Sequence, residues 1–80
     1  MTITIQAFGI AKEIFRKPSL ELELKEKLNV ADLKAILENK YPLLKELGTY
    51  MIAVNNDYGE DSTIISLKDE IAIIPPVSGG

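Results

Sequence analysis

The stretch EIAIIP, residues 70–75, decides the fold because an apolar run of four residues is followed directly by a proline. Residues 71–74 are apolar on both faces of an extended chain, which is typical of a strand at the centre of a sheet. Pro75 has no amide hydrogen to donate to a neighbouring strand. The stretch therefore predicts a central last strand that ends at Pro75.

Two further segments near the start of the chain alternate with a period of two. TITIQA, residues 2–7, places Ile3, Ile5 and Ala7 on one face, and SLELELKEK, residues 19–27, places Leu20, Leu22 and Leu24 on one face. This alternation predicts two half-buried strands. The connection FGIAKEIFRKP, residues 8–18, is too long for a tight turn and has apolar spacing for about one helical turn.

In NVADLKAILENKY, residues 29–41, the apolar residues recur every three or four positions. This spacing predicts an amphipathic helix. Asn29 is a candidate N-cap, and Asp32 lies in the first turn, where a carboxylate favours the positive end of the helix dipole. Pro42 ends the helix near Tyr41. The predicted apolar stripe contains Val30, Leu33, Ile36, Leu37, Tyr41 and Leu44.

The remaining segments complete a small mixed sheet. YMIAVN, residues 50–55, predicts a strand, NNDYG predicts a turn, and DSTIISL, residues 61–67, fits either a short strand or a helical turn. One main helix must cover one face of the sheet, with the first and last strands parallel and central. We predict an α+β fold of the β-grasp, or ubiquitin-like, type. Its predicted core contains Ile3, Ile5, Leu22, Val30, Leu33, Leu37 and Val54.

Composition excludes several classes of function. A length of eighty residues is enough for one domain. The chain has nine basic and twelve acidic residues, and this net negative charge argues against a nucleic-acid partner. The absence of histidine and cysteine excludes serine and cysteine hydrolases and a thiolate zinc site. The polar segment 55–61 has the wrong register for a calcium loop. We predict no bound cofactor, no metal and no membrane span, and a cytoplasmic location because no signal peptide is visible.

The segment PPVSGG, residues 75–80, comes after the last predicted strand. We predict a β-grasp domain over residues 1–76 and a flexible C-terminal tail over residues 77–80. Gly79 and Gly80 have no Cβ, so their backbone fits a channel that a side chain would block. The two prolines favour a stiff exit from the sheet. A loose end or a truncation scar is the alternative interpretation of a diglycine.

The segments VADLKAILENKYP, IAVN and DEIAIIPPVSGG resemble the small subunit of molybdopterin synthase, the MoaD-like sulfur carriers, and the resemblance covers essentially the whole chain. It implies a protein that is no enzyme on its own. An ATP-dependent activating enzyme would adenylate the Gly80 carboxylate, and a sulfur donor protein would convert it to a thiocarboxylate. The large synthase subunit, in a heterotetramer, would then pass the sulfur to a cyclic pyranopterin precursor of molybdopterin.

The resemblance also implies roles for individual residues. Gly80 carries the chemistry and Gly79 provides clearance in a partner's channel. The partner-binding set is Phe8, Ile73, Ile74, Pro75, Pro76, Val77 and Ser78. For Phe8, Ile73 and Ile74, packing in the core is an equal alternative, because strand alternation alone does not say which face the helix covers.

Other functions fit the same sequence. A related carrier for thiazole synthesis or tRNA thiolation would use the same thiocarboxylate, whereas a ubiquitin-like modifier would form amide bonds with lysines. A plain interaction module would keep an unmodified carboxylate.

Overall fold

The computed structural model describes residues 2–24, 28–47, 49–66 and 68–75. Five strands form its larger sheet: β1 (Thr2–Ala7), β2 (Ser19–Glu23), β4 (Met51–Val54), β5 (Asp57–Tyr58) and β7 (Ile71–Ile74). Their order across the sheet is β2-β1-β7-β4-β5. Strands β3 (Leu28–Asn29) and β6 (Ile64–Ile65) pair in a two-stranded sheet. The helices are α1 (Ile10–Phe15), α2 (Val30–Lys40) and a 3-10 helix (Pro42–Leu47).

The first and last strands lie side by side and parallel, as the sequence predicts. Ile5 is opposite Ile71 and Ala7 is opposite Ile73. On its other side β7 pairs antiparallel with β4, so it is the middle strand of the sheet. The α+β β-grasp architecture is confirmed, with a mixed sheet and one main helix.

Helix α2 begins with a reciprocal cap. The Asn29 side chain accepts a hydrogen bond from the Asp32 N–H at 2.8 Å, and an Asp32 carboxylate oxygen accepts one from the Asn29 N–H at 3.3 Å. This capping box satisfies two donors that the first turn leaves unpaired. It confirms Asn29 as the N-cap and gives Asp32 a direct contact as well as a favourable position near the helix dipole.

The core lies between α2 and one face of the larger sheet. Ile3, Ile5, Leu22, Val30, Leu33 and Leu37 are buried as predicted, and Val54 packs against them while half-buried. Ile36 is 38% exposed, so its place in the predicted buried stripe is wrong. At about 100° per residue, Ile36 lies roughly 90° from the middle of the stripe formed by Val30, Leu33 and Leu37.

The short elements differ most from the sequence-based prediction. The connection after β1 contains a six-residue helix, α1. The segment 61–67 takes the strand alternative through β6, and β5 forms where the sequence predicts only a turn. Strand β2 ends at Glu23, four residues before the predicted end, although residues 25–27 lie outside the described ranges.

Candidate functional site

The candidate site is the end of the central strand β7 together with the sheet face that the helix leaves open. Strand β7 ends at Ile74, and Pro75 is half-buried at its exit. The predicted residues Pro76, Val77, Ser78, Gly79 and Gly80 lie outside the described residues, and so does the predicted boundary after residue 76. The site is therefore built from the side chains that surround the strand exit.

Alternation along the strands decides which side chains face away from the core. Ile71 and Ile73 are fully buried beneath α2, so Ala72 and Ile74 point to the opposite face. We call this opposite side of β1, β7, β4 and β5 the open face. One row across it contains Gln6, Ala72, Ala53 and Tyr58, which are cross-strand partners in that order.

The open face is apolar beside the strand exit. Met51 lies opposite Ile74 and is 43% exposed, Tyr58 is 65% exposed, and Phe8, two residues after Gln6, is 52% exposed. Ala53 is buried but does not belong to the core cluster. A surface depression lies here, and its lining is Gln6, Phe8, Ala53, Asn56, Tyr58, Glu70, Ile71, Ala72 and Ile74.

The structure shows whether Phe8, Ile73 and Ile74 lie in the core or on the open face. Phe8 and Ile74 lie on the open face, at the depression. Ile73 is 0% exposed and belongs to the core, so its predicted place on a docking surface is wrong. Neighbouring residues of one strand face opposite ways, and therefore Ile73 and Ile74 cannot both face a partner.

Met51, Ala53 and Tyr58 belong to the open face, although the sequence analysis does not place them there. Each is paired with β7 or β4 on that side. Met51 and Ala53 alternate with the buried Ile52 along β4. This alternation is a usable signal, but it can be interpreted only once one buried residue fixes the face.

A hydrogen-bonded turn fixes the start of β7. The β4–β5 hairpin turns at Asn55 and Asn56, both with positive φ (55° and 70°), as a type I′ turn requires. The Asn55 amide group donates to an Asp69 carboxylate oxygen at 2.8 Å, and its carbonyl oxygen accepts from the Glu70 N–H at 2.9 Å. These contacts join the turn to the two residues that precede β7, which begins at Ile71.

The described part of the site is an exposed, mostly apolar surface. Within residues 2–24, 28–47, 49–66 and 68–75, no group of three or more His, Cys, Asp or Glu side chains is placed to hold a metal ion. Apolar side chains in a row, rimmed by the polar Gln6, Asn56 and Glu70, are typical of a docking face.

None of the described helices is long and apolar enough to cross a membrane.

A sheet of this topology, one capped helix and an apolar open face beside the exit of the last strand define a ubiquitin-like β-grasp domain. The chain belongs to the ThiS family, whose family model matches residues 5–80.

Three named proteins are similar to this chain over almost all of its length. The molybdopterin synthase sulfur carrier subunit of Arabidopsis thaliana is 35% identical, over 98% of this chain and 82% of its own. The small archaeal modifier protein 1 of Methanosarcina acetivorans has a solution structure that is 28% identical with a TM-score of 0.76, covering 99% of this chain and 96% of its own. A chain in the complex of subunits 1 and 2 of the molybdopterin-converting factor from Helicobacter pylori is 28% identical with a TM-score of 0.68, covering both chains fully.

Proposed function

We propose that this chain is the sulfur carrier subunit of a molybdopterin synthase. The observation that carries the proposal is 35% identity, over 98% of this chain, to a protein named molybdopterin synthase sulfur carrier subunit. The structure supports it because the central strand leads the chain out beside an apolar docking face. The family model extends to Gly80, so the match includes the terminal glycines.

The reacting group is the Gly80 carboxylate. A carboxylate is a poor electrophile, so an ATP-dependent activating enzyme joins one of its oxygens to the α-phosphorus of ATP and releases pyrophosphate. A sulfur donor protein then attacks the carbonyl carbon, and AMP leaves. The attacking sulfur is the outer atom of a persulfide on the donor, so an acyl disulfide forms. A thiol reductant then attacks the donor's sulfur, breaks the S–S bond and releases Gly80 as a thiocarboxylate. Gly79 provides clearance, because a side chain there would obstruct a narrow channel.

The second partner accepts the sulfur. The chain similar to this one in the Helicobacter pylori structure belongs to a complex of two molybdopterin-converting factor subunits. By analogy we propose that a large subunit docks on Phe8, Tyr58 and Ile74 of the open face while the tail enters its active site. There the sulfur passes to a cyclic pyranopterin precursor, and water returns Gly80 to a carboxylate. The domain supplies the docking face and the sulfur, and its partners supply the catalysis in the cytoplasm.

A ubiquitin-like modifier is the second candidate. The small archaeal modifier protein 1 of Methanosarcina acetivorans favours it, with a TM-score of 0.76 and 28% identity. A modifier would share the adenylation of Gly80 but would transfer its carbonyl carbon to a lysine amine. The two functions therefore differ in the atom that is transferred to the acceptor. The carrier transfers its sulfur, and the modifier transfers the carbonyl carbon of Gly80.

The experiment that separates them starts from thiocarboxylate-loaded protein. It is incubated with the activating enzyme, ATP, the large subunit and the pyranopterin precursor, and pterin-bound sulfur and protein mass are followed together. The proposed function predicts sulfur in the pterin and return of the carrier to its unmodified mass. Covalent adducts between Gly80 and lysine side chains, with no sulfur in the pterin, would support the modifier and contradict the carrier.

A further inference from the structure

The turn between β1 and α1 has a backbone conformation that favours glycine. The Phe8 carbonyl accepts a hydrogen bond from the Ala11 N–H at 3.1 Å, which closes a four-residue turn with Gly9 at its first central position. Gly9 has φ 56° and ψ −131°. These angles match the first central residue of a type II′ turn, where the Cβ of an L-residue meets the backbone. Glycine is therefore required locally.

The same turn touches the exit of the central strand. The parallel register pairs Ala7 with Ile73, so two residues further along Gly9 comes beside Pro75. A Cβ built on Gly9 would lie 3.3 Å from Cγ of the Pro75 ring, tighter than nine in ten real contacts of this kind. With a side chain at position 9, the ring would have to shift by a few tenths of an ångström.

The position of the Pro75 ring matters because the C-terminal glycines come soon after it in the chain. The pyrrolidine ring fixes φ of Pro75, and the next residue, Pro76, restricts Pro75 to an extended ψ. With both angles restricted, the position of the Pro75 ring against Gly9 determines the direction in which the chain leaves the sheet.

We propose that Gly9 is a positioning residue for the C-terminal glycines. Its missing side chain leaves room for the Pro75 ring, and this contact fixes the direction in which the chain leaves the sheet at Pro75. This inference rests on the proposed function, in which Gly80 reacts inside partner enzymes. It assigns a role to the β1–α1 turn, which lies near the opposite end of the sequence from the reacting carboxylate.

The test is sulfur loading of Gly9→Ala by the activating enzyme, ATP and a sulfur source, at several carrier concentrations. The substitution changes no side chain of the open face, so KM should change less than about threefold. A misdirected terminus should lower kcat by about 10- to 100-fold, the scale of a misplacement near 1 Å. A merely structural role would reduce the folded fraction and leave kcat per folded molecule unchanged.

Gly59→Ala is the matched control. A Cβ there would lie 3.0 Å from Cγ2 of Val30 and 3.2 Å from Cγ2 of Val54, so it is at least as crowded but presses on the core. It should lower stability and keep the native kcat. Pro75→Ala removes the ring, and in that background Gly9→Ala should change kcat much less than in the native chain.

Two further variants keep the test decisive. Where Gly9→Ala is too unstable to assay, Pro75→Ala alone should lower kcat, and native kcat would overturn the proposal. D-alanine at position 9, introduced by chemical synthesis, suits a positive φ and projects its methyl group in another direction. It should restore the native kcat.

The outcomes separate the two proposals. Native kcat in folded Gly9→Ala, with the unaltered protein loading normally, overturns the positioning role and leaves the carrier function intact. Failure of the unaltered protein to load overturns the carrier function and the positioning role with it. The contact itself is checked by a nuclear Overhauser effect between Gly9 Hα and Pro75 Hγ, whose absence would also overturn the positioning role.

Discussion

Asn55 and Glu70 hold the β4–β5 turn and the start of β7 together through two hydrogen bonds. The Asn55 N–H donates to the Glu70 carbonyl at 2.8 Å, and the Glu70 N–H donates to the Asn55 side-chain oxygen at 2.9 Å. Asn55 combines a positive φ with a side chain long enough to reach the neighbouring segment. It therefore links a local turn to the register of the central strand.

Replacing Asn55 tests this link. Asn55→Ala loses its side-chain hydrogen bonds and puts alanine at a positive φ, so unfolding in urea should show a loss of roughly 1–3 kcal/mol. Asn55→Gly loses the same bonds without the backbone penalty and should lose less. Asn56→Gly keeps the Asn55 contacts and suits the type I′ turn, so it should be neutral or stabilising. Native stability of Asn55→Ala would contradict the role.

The helix face is tested by a pair of substitutions on α2. Leu33 is fully buried, and Leu33→Ala should cost roughly 2–5 kcal/mol of unfolding free energy. Ile36, three residues further along the helix, is 38% exposed, and Ile36→Ala should cost under about 1 kcal/mol. Denaturant unfolding measures both. Equal costs at the two positions would contradict the orientation of the helix.

The larger features of this fold could be predicted because each repeats a pattern over several residues. Alternation identifies β1 and β2, a period of three to four identifies α2, and the two-sided apolar run identifies β7. Strands β3, β5 and β6 have two residues each, too few for any period. They form because tertiary packing brings Leu28 opposite Ile65 and Ala53 opposite Tyr58.

The site was predictable in part for a related reason. The apolar residues near the end of β7 are visible in the sequence, but alternation fixes only that Ile73 and Ile74 face opposite ways. Choosing between the faces requires knowing where α2 packs, which is a long-range contact. The seat of Pro75 on Gly9 joins the two ends of the chain and has no local signal beyond the glycine itself.

The Tyr50–Glu38 contact predicts a dependence of stability on alkaline pH. The buried Tyr50 hydroxyl donates to a Glu38 carboxylate oxygen at 2.5 Å. Burial, and then the hydrogen bond to Glu38 and its negative charge, raise the pKa of Tyr50 well above its ordinary value. The folded state therefore holds this proton more tightly than the unfolded state, and the resulting stability is present below the ordinary tyrosine pKa and lost as pH rises above it.

Tyr50→Phe tests this effect. At pH 7 the variant should be less stable than the native protein by about 1–2 kcal/mol, because the hydrogen bond to a charged group is gone. The difference in unfolding free energy should shrink as pH rises from about 9 through and beyond about 10, the ordinary tyrosine pKa. Urea unfolding at a series of pH values measures it. A difference that grows with pH would contradict the assignment.

Docking on the open face is tested at Phe8. Phe8→Asp places a charge in the apolar depression and should weaken binding to the large subunit at least about tenfold, as expected for a central apolar contact. Leu43→Asp is the control, since Leu43 is 56% exposed, close to the 52% of Phe8, and does not line the depression. Calorimetric titration of both variants measures the effect. Equal weakening by the two substitutions would place the docking face elsewhere.

The tail is tested by changing its two glycines separately. Deleting Gly80 should abolish sulfur loading, because the reacting carboxylate moves back by one residue. Gly79→Val should suppress loading and leave the melting temperature unchanged, since the substitution lies beyond the last strand. A flexible spacer would tolerate the valine, whereas a threaded substrate would not. Full loading of Gly79→Val would contradict the clearance role.

The most direct test of the carrier function is the intact mass of the unaltered protein after incubation with a cognate activating enzyme, ATP and a sulfur source. The carrier function predicts an increase equal to the mass difference between one sulfur and one oxygen atom. Fragmentation should place that increase on Gly80, and the chain has no cysteine that could hold the sulfur as a persulfide. An unchanged mass with every candidate activating enzyme, or sulfur located on any other residue, would contradict it.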